Sequence, residues 1–362
     1  MILANEQLFD DLLKNELLTL NEKSHRRTWE YYYEQYHNVF RLFLGTAKQK
    51  RYQTNPKFMP FMFIMRHSLE LFLKDKISKT MAPWKQFGTT HNLKDLCQIA
   101  NINGVKFLND FDCLNCNSDG DCWRYISDKN GMPHFQERKE IRAFDACNNY
   151  CSFLDNDASF TNASEDKKLQ WELTFHTIDY HTLGIIGTQY DFAIKDILQA
   201  IRERKISIND IYLPLLFFLR HSLELKLKAS IIDLGNVVNE QDRSKVNHTH
   251  SVKLLYDIFQ DFVDCAIKNI QDLNLKEESI AFQKVTEQYK DAIQSLDANS
   301  YLFRFPKDRK GNDADFIPKS DCVSEILKLY RKSDSFLCYA VGVLYQAGVL
   351  KIGEDKEREY YE

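Results

Sequence analysis

The chain has 362 residues, 44% of them hydrophobic and 28% charged, with 48 Lys and Arg against 52 Asp and Glu for a formal charge of −4. That balance excludes a polycation held to nucleic acid by its global field, so any such contact needs a local basic patch. Only 12 Gly and 7 Pro exclude collagen-like and low-complexity chains, and 18 Tyr with 25 Phe exclude disorder. The length suggests roughly two domains of about 150 to 200 residues, each able to bury its own core.

The N-terminal stretch MILANEQLFDDLLKNELL is acidic and amphipathic, without the basic n-region, apolar h-region or cleavage site of a leader. The longest apolar runs, 59–65 and 211–219, fall far short of the ~20 residues a spanning helix needs. Nine Cys, an odd number at irregular spacings, point to reduced thiols rather than a disulfide framework. The expectation is a soluble cytoplasmic protein with no membrane contact.

Apolar spacing predicts helices over 5–20, 26–49, 60–79, 92–100 and 136–154, and again over 180–203, 214–234, 251–270, 279–296 and 319–347. Pro60 and Pro214 stand at helix starts, where a missing N–H costs nothing. No alternating run reads as a strand, so the expected class is all-α.

An internal repeat organises these elements. Residues 59–77, MPFMFIMRHSLELFLKDKI, and 213–231, LPLLFFLRHSLELKLKASI, agree without gaps at eleven of nineteen positions. Thr90-His91-Asn92-Leu93-Lys94 is answered by Thr249-His250-Ser251-Val252-Lys253. Trp123-Arg124-Tyr125 with Asp128 and Gly131 is answered by Phe303-Arg304-Phe305 with Asp308 and Gly311. This reads as a tandem duplication forming an intramolecular pseudo-dimer: copy one over 1–158, a polar linker over 159–168, copy two over 169–350 and a charged tail over 351–362. Copy two carries an insertion of about twenty residues between its second and third blocks.

On a helix, Arg66, His67, Glu70 and Lys74 form one polar stripe, and Arg220, His221, Glu224 and Lys228 form its counterpart. One reading is a structural network of i,i+4 pairs, each worth ~0.2–0.5 kcal/mol. The other is a site, because polar identities stay fixed while their apolar neighbours drift (Met62/Leu216, Ile64/Phe218, Met65/Leu219). His91 and His250 follow a Thr at a helix start and either belong to a cap or face an anion. Arg124 and Arg304 lie between aromatic residues, where they either close a turn with Asp128 and Asp308 or hold a phosphate and stack a base. Two His, two Arg and one Glu per copy suffice for metal-independent phosphodiester chemistry, one His taking a proton, the other giving one, and Arg neutralising the phosphorane. In that scheme Arg66, His67, Glu70, Arg220, His221 and Glu224 are catalytic, and Lys74, His91, Arg124, Asp128, Lys228, His250, Arg304 and Asp308 bind the ligand.

Cys113-x2-Cys116-x5-Cys122, with His134, Cys147 or Cys151 as a fourth donor, has the outline of a zinc site, but copy two has nothing comparable. Loop thiols are the favoured reading, so no metal or cofactor is expected. No P-loop, GxGxxG, HExxH, GxSxG or EF-hand pattern occurs.

RHSLELxLK on a central helix, then THxLK, then an aromatic-Arg-aromatic segment with Asp and Gly, resembles bacterial HEPN-like proteins over about a third of the chain. The resemblance implies four- or five-helix bundles that pair with a site at their interface. Many members are metal-independent ribonucleases of toxin–antitoxin, CRISPR and anti-phage systems, and others bind RNA, nucleotides or protein without catalysis. The family's Arg, four to six residues, His hallmark occurs only as Arg243-SKVN-His248, or from Arg243 to His250, in the copy-two insertion, and the corresponding window of copy one, Lys85 to Phe87, has no Arg. That match is read as accidental, and the hallmark residues are not carried over. The implied function is an RNA-targeting endoribonuclease of a bacterial defence or toxin system, or a non-catalytic module binding nucleotide, RNA or a protein partner, in either case able to form homo-oligomers.

Overall fold

Residues 58–65, FMPFMFIM, are apolar on every face, so a helix built from them has to be enclosed on all sides. The computed structural model describes residues 6–22, 26–49, 54–80, 84–102, 121–127, 132–135, 140–154, 167–176, 182–233, 246, 248–268, 273–298, 300–313 and 318–347. In chain order the elements are α1 (Glu6–Lys14), α2 (Trp29–Gln49), α3 (Phe58–Ser78), α4 (Trp84–Phe87), α5 (Leu93–Ile99), β1 (Glu140–Arg142), α6 (Ala143–Leu154), α7 (Lys167–Glu172), β2 (Thr174–His176), α8 (Leu183–Arg202), α9 (Tyr212–Asp233), α10 (Val252–Ile267), α11 (Leu273–Gln288), α12 (Lys290–Ala298) and α13 (Cys322–Gln346). The fold is mostly α, as the periodicity predicts. No helix among the described residues is long and apolar enough to cross a membrane.

Helix α3 is buried without a break from Phe58 to Leu71, its polar residues included. It packs along α2 and against α5, while α9 packs along α8 and against α10 and α13. The two halves interlock, since α3 also meets α8 and α2 meets α9. At the crossing the rings of Phe63 and Phe217 stack, centroids 4.8 Å apart.

The helix starts are satisfied reciprocally. The first N–H groups of a helix have no intrahelical acceptor and need one from elsewhere. Gln189 of α8 accepts from the Met59 N–H at 3.0 Å, and Gln35 of α2 accepts from the Leu213 N–H at 3.3 Å. Each half therefore caps the central helix of the other. Lys57, buried just before α3, pairs with Asp196 of α8.

Several expectations need correction. β1 and β2 form a small antiparallel sheet with Ile141 opposite Phe175; β1 lies inside the stretch predicted as helix over 136–154, because three residues are too few for an alternation to register. The first helix stops at Lys14 rather than 20, and Glu16 follows in the left-handed region at φ 53°, which a helix cannot propagate through. The segment predicted as one helix over 279–296 is two, α11 and α12. Lys167 and Lys168 of the expected linker open α7, while 155–166 and the tail over 351–362 lie outside the described residues.

Truncating Phe217 to Ala removes one ring of the stack at the crossing. The expected loss is ~3–5 kcal/mol in denaturant unfolding, as for other buried Phe to Ala changes, and a loss below about 1 kcal/mol would show that the crossing is not closely packed.

Candidate functional site

A buried carboxylate must be supplied with cations or hydrogen bonds from inside the protein. Glu70 of α3 is such a group, and it collects Lys74 at 2.9 Å, His91 Nδ1 at 2.8 Å and Arg66 at 3.4 Å. Glu224 of α9 collects Lys228 at 3.2 Å, His250 Nδ1 at 2.8 Å and Arg220 at 3.1 Å. In each half the arginine also donates to the backbone carbonyl of the histidine it shares the carboxylate with, His91 or His250. Burial alone would push both carboxyls up; Lys74, His91 and His67 hold Glu70 well below the usual range, and the His250 hydrogen bond with Arg220 and Lys228 does the same for Glu224. The stripe is thus a buried network, and Lys74 and Lys228 are spent on their own helices.

The aromatic-Arg-aromatic segments cross between halves. Tyr36 of α2 donates to the Phe303 carbonyl at 3.1 Å, and Tyr190 of α8 donates to the Trp123 carbonyl at 3.2 Å. His67 donates from Nε2 to the Arg304 carbonyl at 3.2 Å, and His221 donates from Nε2 to the Arg124 carbonyl at 3.0 Å. Each of these imidazoles stacks on the Phe one turn earlier, Phe63 or Phe217. Each also stands edge-on to a Tyr, Tyr36 or Tyr190, and to the second aromatic of the crossing segment, Phe305 or Tyr125. Burial pushes the His67 ring down to about 4 and the His221 ring down to about 3.

Between α3 and the 301–309 segment lies a cavity of about 340 Å³. Four guanidiniums, Arg66, Arg124, Arg304 and Arg309, line it against two carboxylates, Glu70 and Asp121. Arg124 pairs with Asp121. Arg304 is different: among the described residues no carboxylate forms an ion pair with it, its Nε is buried without an acceptor, and it lies over the rings of Phe217, Tyr301 and Phe305. Burial, and then the charge of Arg124, push its guanidinium down to about 10.

Other expected residues fall elsewhere. Asn92 and Ser251, not the preceding histidines, cap α5 and α10. At α10 the carboxylate of Asp297 already takes the Val252 and Lys253 N–H groups, so that helix end holds an internal anion. Asp308 accepts from the Lys310 and Asn312 N–H groups and closes the turn in which Gly311 takes φ +90°, so it does not bridge to Arg304. Asp128 lies outside the described residues. Ser68 and Ser222 of the shared hexapeptide bond the hydroxyls of Tyr150 and Tyr330, at 2.6 and 2.7 Å. Among the described residues no group of His, Cys, Asp and Glu is arranged to hold a metal ion. Cys97, Cys147, Cys151, Cys265, Cys322 and Cys338 are free thiols, whereas Cys122 is in a disulfide, contrary to the expectation for that loop; spacing along the whole chain hides that Cys113, Cys116 and Cys122 fall within ten residues, and the first two lie outside the described residues. Sequence reasoning missed Asp121, Tyr301 and Arg309, although Asp121 and Tyr301 stand three residues before the two arginines it did single out.

The buried imidazoles make stability pH-dependent. A ring that binds a proton less readily folded than unfolded leaves stability intact above its unfolded pKa, near 6.5, and removes it as pH falls toward the folded value, about 4 for His67 and about 3 for His221. The slope is up to ~1.4 kcal/mol per pH unit for each ring. Below pH 4.5 the depressed Glu70 and Glu224 add their own loss. His67→Gln, which still donates to the Arg304 carbonyl, should halve the slope measured between pH 6.5 and 4.5; an unchanged slope would exclude His67 as its source.

Compared with known proteins, the chain matches no family model, no curated protein and no solved structure.

Proposed function

We propose that the chain is an internally duplicated, HEPN-like pseudo-dimer whose seam binds a phosphate-bearing ligand, a nucleotide or the backbone of an RNA strand, without cleaving it. The observation that carries this is Arg304. A mostly buried cation that forms no ion pair with a carboxylate among the described residues costs stability, which an external anion offsets. Planar guanidinium forks suit phosphate oxygens, and Arg309 stands with Arg304 at the same cavity. A volume of about 340 Å³ is at the small end of ligand pockets and fits a nucleotide better than a duplex.

Duplication is supported by paired contacts at a constant offset. Gln35/Gln189, Tyr36/Tyr190, Phe63/Phe217, His67/His221 and Glu70/Glu224 make matching interactions in the two halves. The non-catalytic alternative is favoured over a ribonuclease by the histidines. An imidazole with a pKa of about 4 is protonated in roughly one molecule per thousand at pH 7 and makes a poor general acid. Its Nε2–H is also engaged with a carbonyl. A defence or toxin context rests on the family resemblance alone.

Titration calorimetry with inorganic pyrophosphate tests the reading. The wild type should bind, and Arg304→Met, which keeps the packing among Phe217, Tyr301 and Phe305, should lose binding at least tenfold with an unchanged or raised melting temperature. Absence of pyrophosphate binding by the wild type would overturn the reading. So would EDTA-resistant cleavage of total RNA that disappears in the His67→Ala, His221→Ala double variant.

A further inference from the structure

The two halves are not equivalent at the cavity, and the difference lies in one position. Residues 121–125, DCWRY, and 301–305, YLFRF, adopt the same turn: the Arg124 and Tyr125 N–H groups donate to the Asp121 carbonyl at 2.8 and 2.9 Å, and the Arg304 and Phe305 N–H groups to the Tyr301 carbonyl at 3.0 and 3.1 Å. Asp121 and Tyr301 are therefore geometric counterparts, each three residues before its arginine and beside it. The acid neutralises Arg124 from within. The tyrosine offers Arg304 only a ring face, at 5.8 Å, and gives its other neighbour Arg309 the same, at 5.7 Å. A second difference lies at the aromatic that follows each arginine. The Tyr125 hydroxyl reaches Glu224 at 3.5 Å and His250 at 3.4 Å, whereas its counterpart Phe305 has no polar atom to give to Glu70 and His91.

Resting on the anion-binding reading above, we propose that the chain holds one phosphoryl-bearing ligand, not two, seated to one side of the seam on Arg304 and Arg309, and that Asp121 is the built-in anion that denies Arg124 to a second ligand. Duplication supplies two arginines at the seam, and the Asp121/Tyr301 difference assigns one to the fold and one to the ligand. Asp121 also lines the same cavity, so its carboxylate weakens binding of the one ligand by like-charge repulsion.

Pyrophosphate titration of four proteins decides this. The wild type should bind one equivalent per chain. Tyr301→Asp, which gives Arg304 the internal acid that Arg124 has, should weaken binding at least tenfold, whereas Tyr301→Phe, which keeps the ring, should bind like the wild type. Asp121→Asn should bind at least tenfold more tightly, a gain that misfolding cannot produce. Two equivalents in the wild type, wild-type affinity in Tyr301→Asp, or unchanged or weaker binding in Asp121→Asn would each overturn the asymmetry while leaving anion binding itself standing. A wild type that binds no pyrophosphate would instead remove the anion-binding reading on which the proposal rests.

Discussion

Two buried carboxylates, Glu70 and Glu224, fix most of what surrounds them. Neither can be buried alone, because an uncompensated charge inside a protein costs several kcal/mol. Each therefore draws a lysine and an arginine from its own helix and a histidine from the loop leading to the next helix. The histidine then locates the start of α5 or α10, and the arginine, by donating to that histidine's carbonyl, locks the loop from its other side. A helix, a loop and a second helix are thus tied at one point in each half.

Where the carboxylates organise each half, the neutral histidines beside them join the halves. His67 and His221 sit one residue past the arginines and reach across the seam to the backbone of the opposite aromatic-Arg-aromatic segment. The reach positions Arg304 next to the α3 network of the first half and Arg124 next to the α9 network of the second. A cavity rich in guanidinium follows from this exchange, since neither half alone assembles it. Buried polar networks of this kind specify one arrangement more than they add stability, and here the arrangement specified is the pairing of the halves.

Much of this was legible in the chain because the repeat acts as an internal alignment. The hexapeptide RHSLEL is retained since each polar member has its own partner: arginine and glutamate each other, histidine a carbonyl across the seam, serine a tyrosine hydroxyl. Fixed polar residues amid drifting apolar ones marked that network, because Met, Leu, Ile and Phe exchange in a core at modest cost while a hydrogen-bond partner does not. Helix positions followed from apolar spacing, and the failures were short elements: the three-residue strands, the break after Lys14 and the split near Tyr289.

The sequence by itself determined the helical class, the repeat and the residues of the polar stripes, because spacing along a helix and repetition along a chain are one-dimensional properties. It could not tell a buried network from a site, since that depends on which partner each side chain meets. Only the tertiary structure decided that His67 and His221 are tied to backbone carbonyls, that Lys74 and Lys228 are internal counterions, and that Asp121 neutralises Arg124 while its counterpart Tyr301 offers Arg304 only a ring face. The physical reason is burial: a charge in water needs no particular partner, whereas a charge in the seam is defined by whichever group the fold sets beside it.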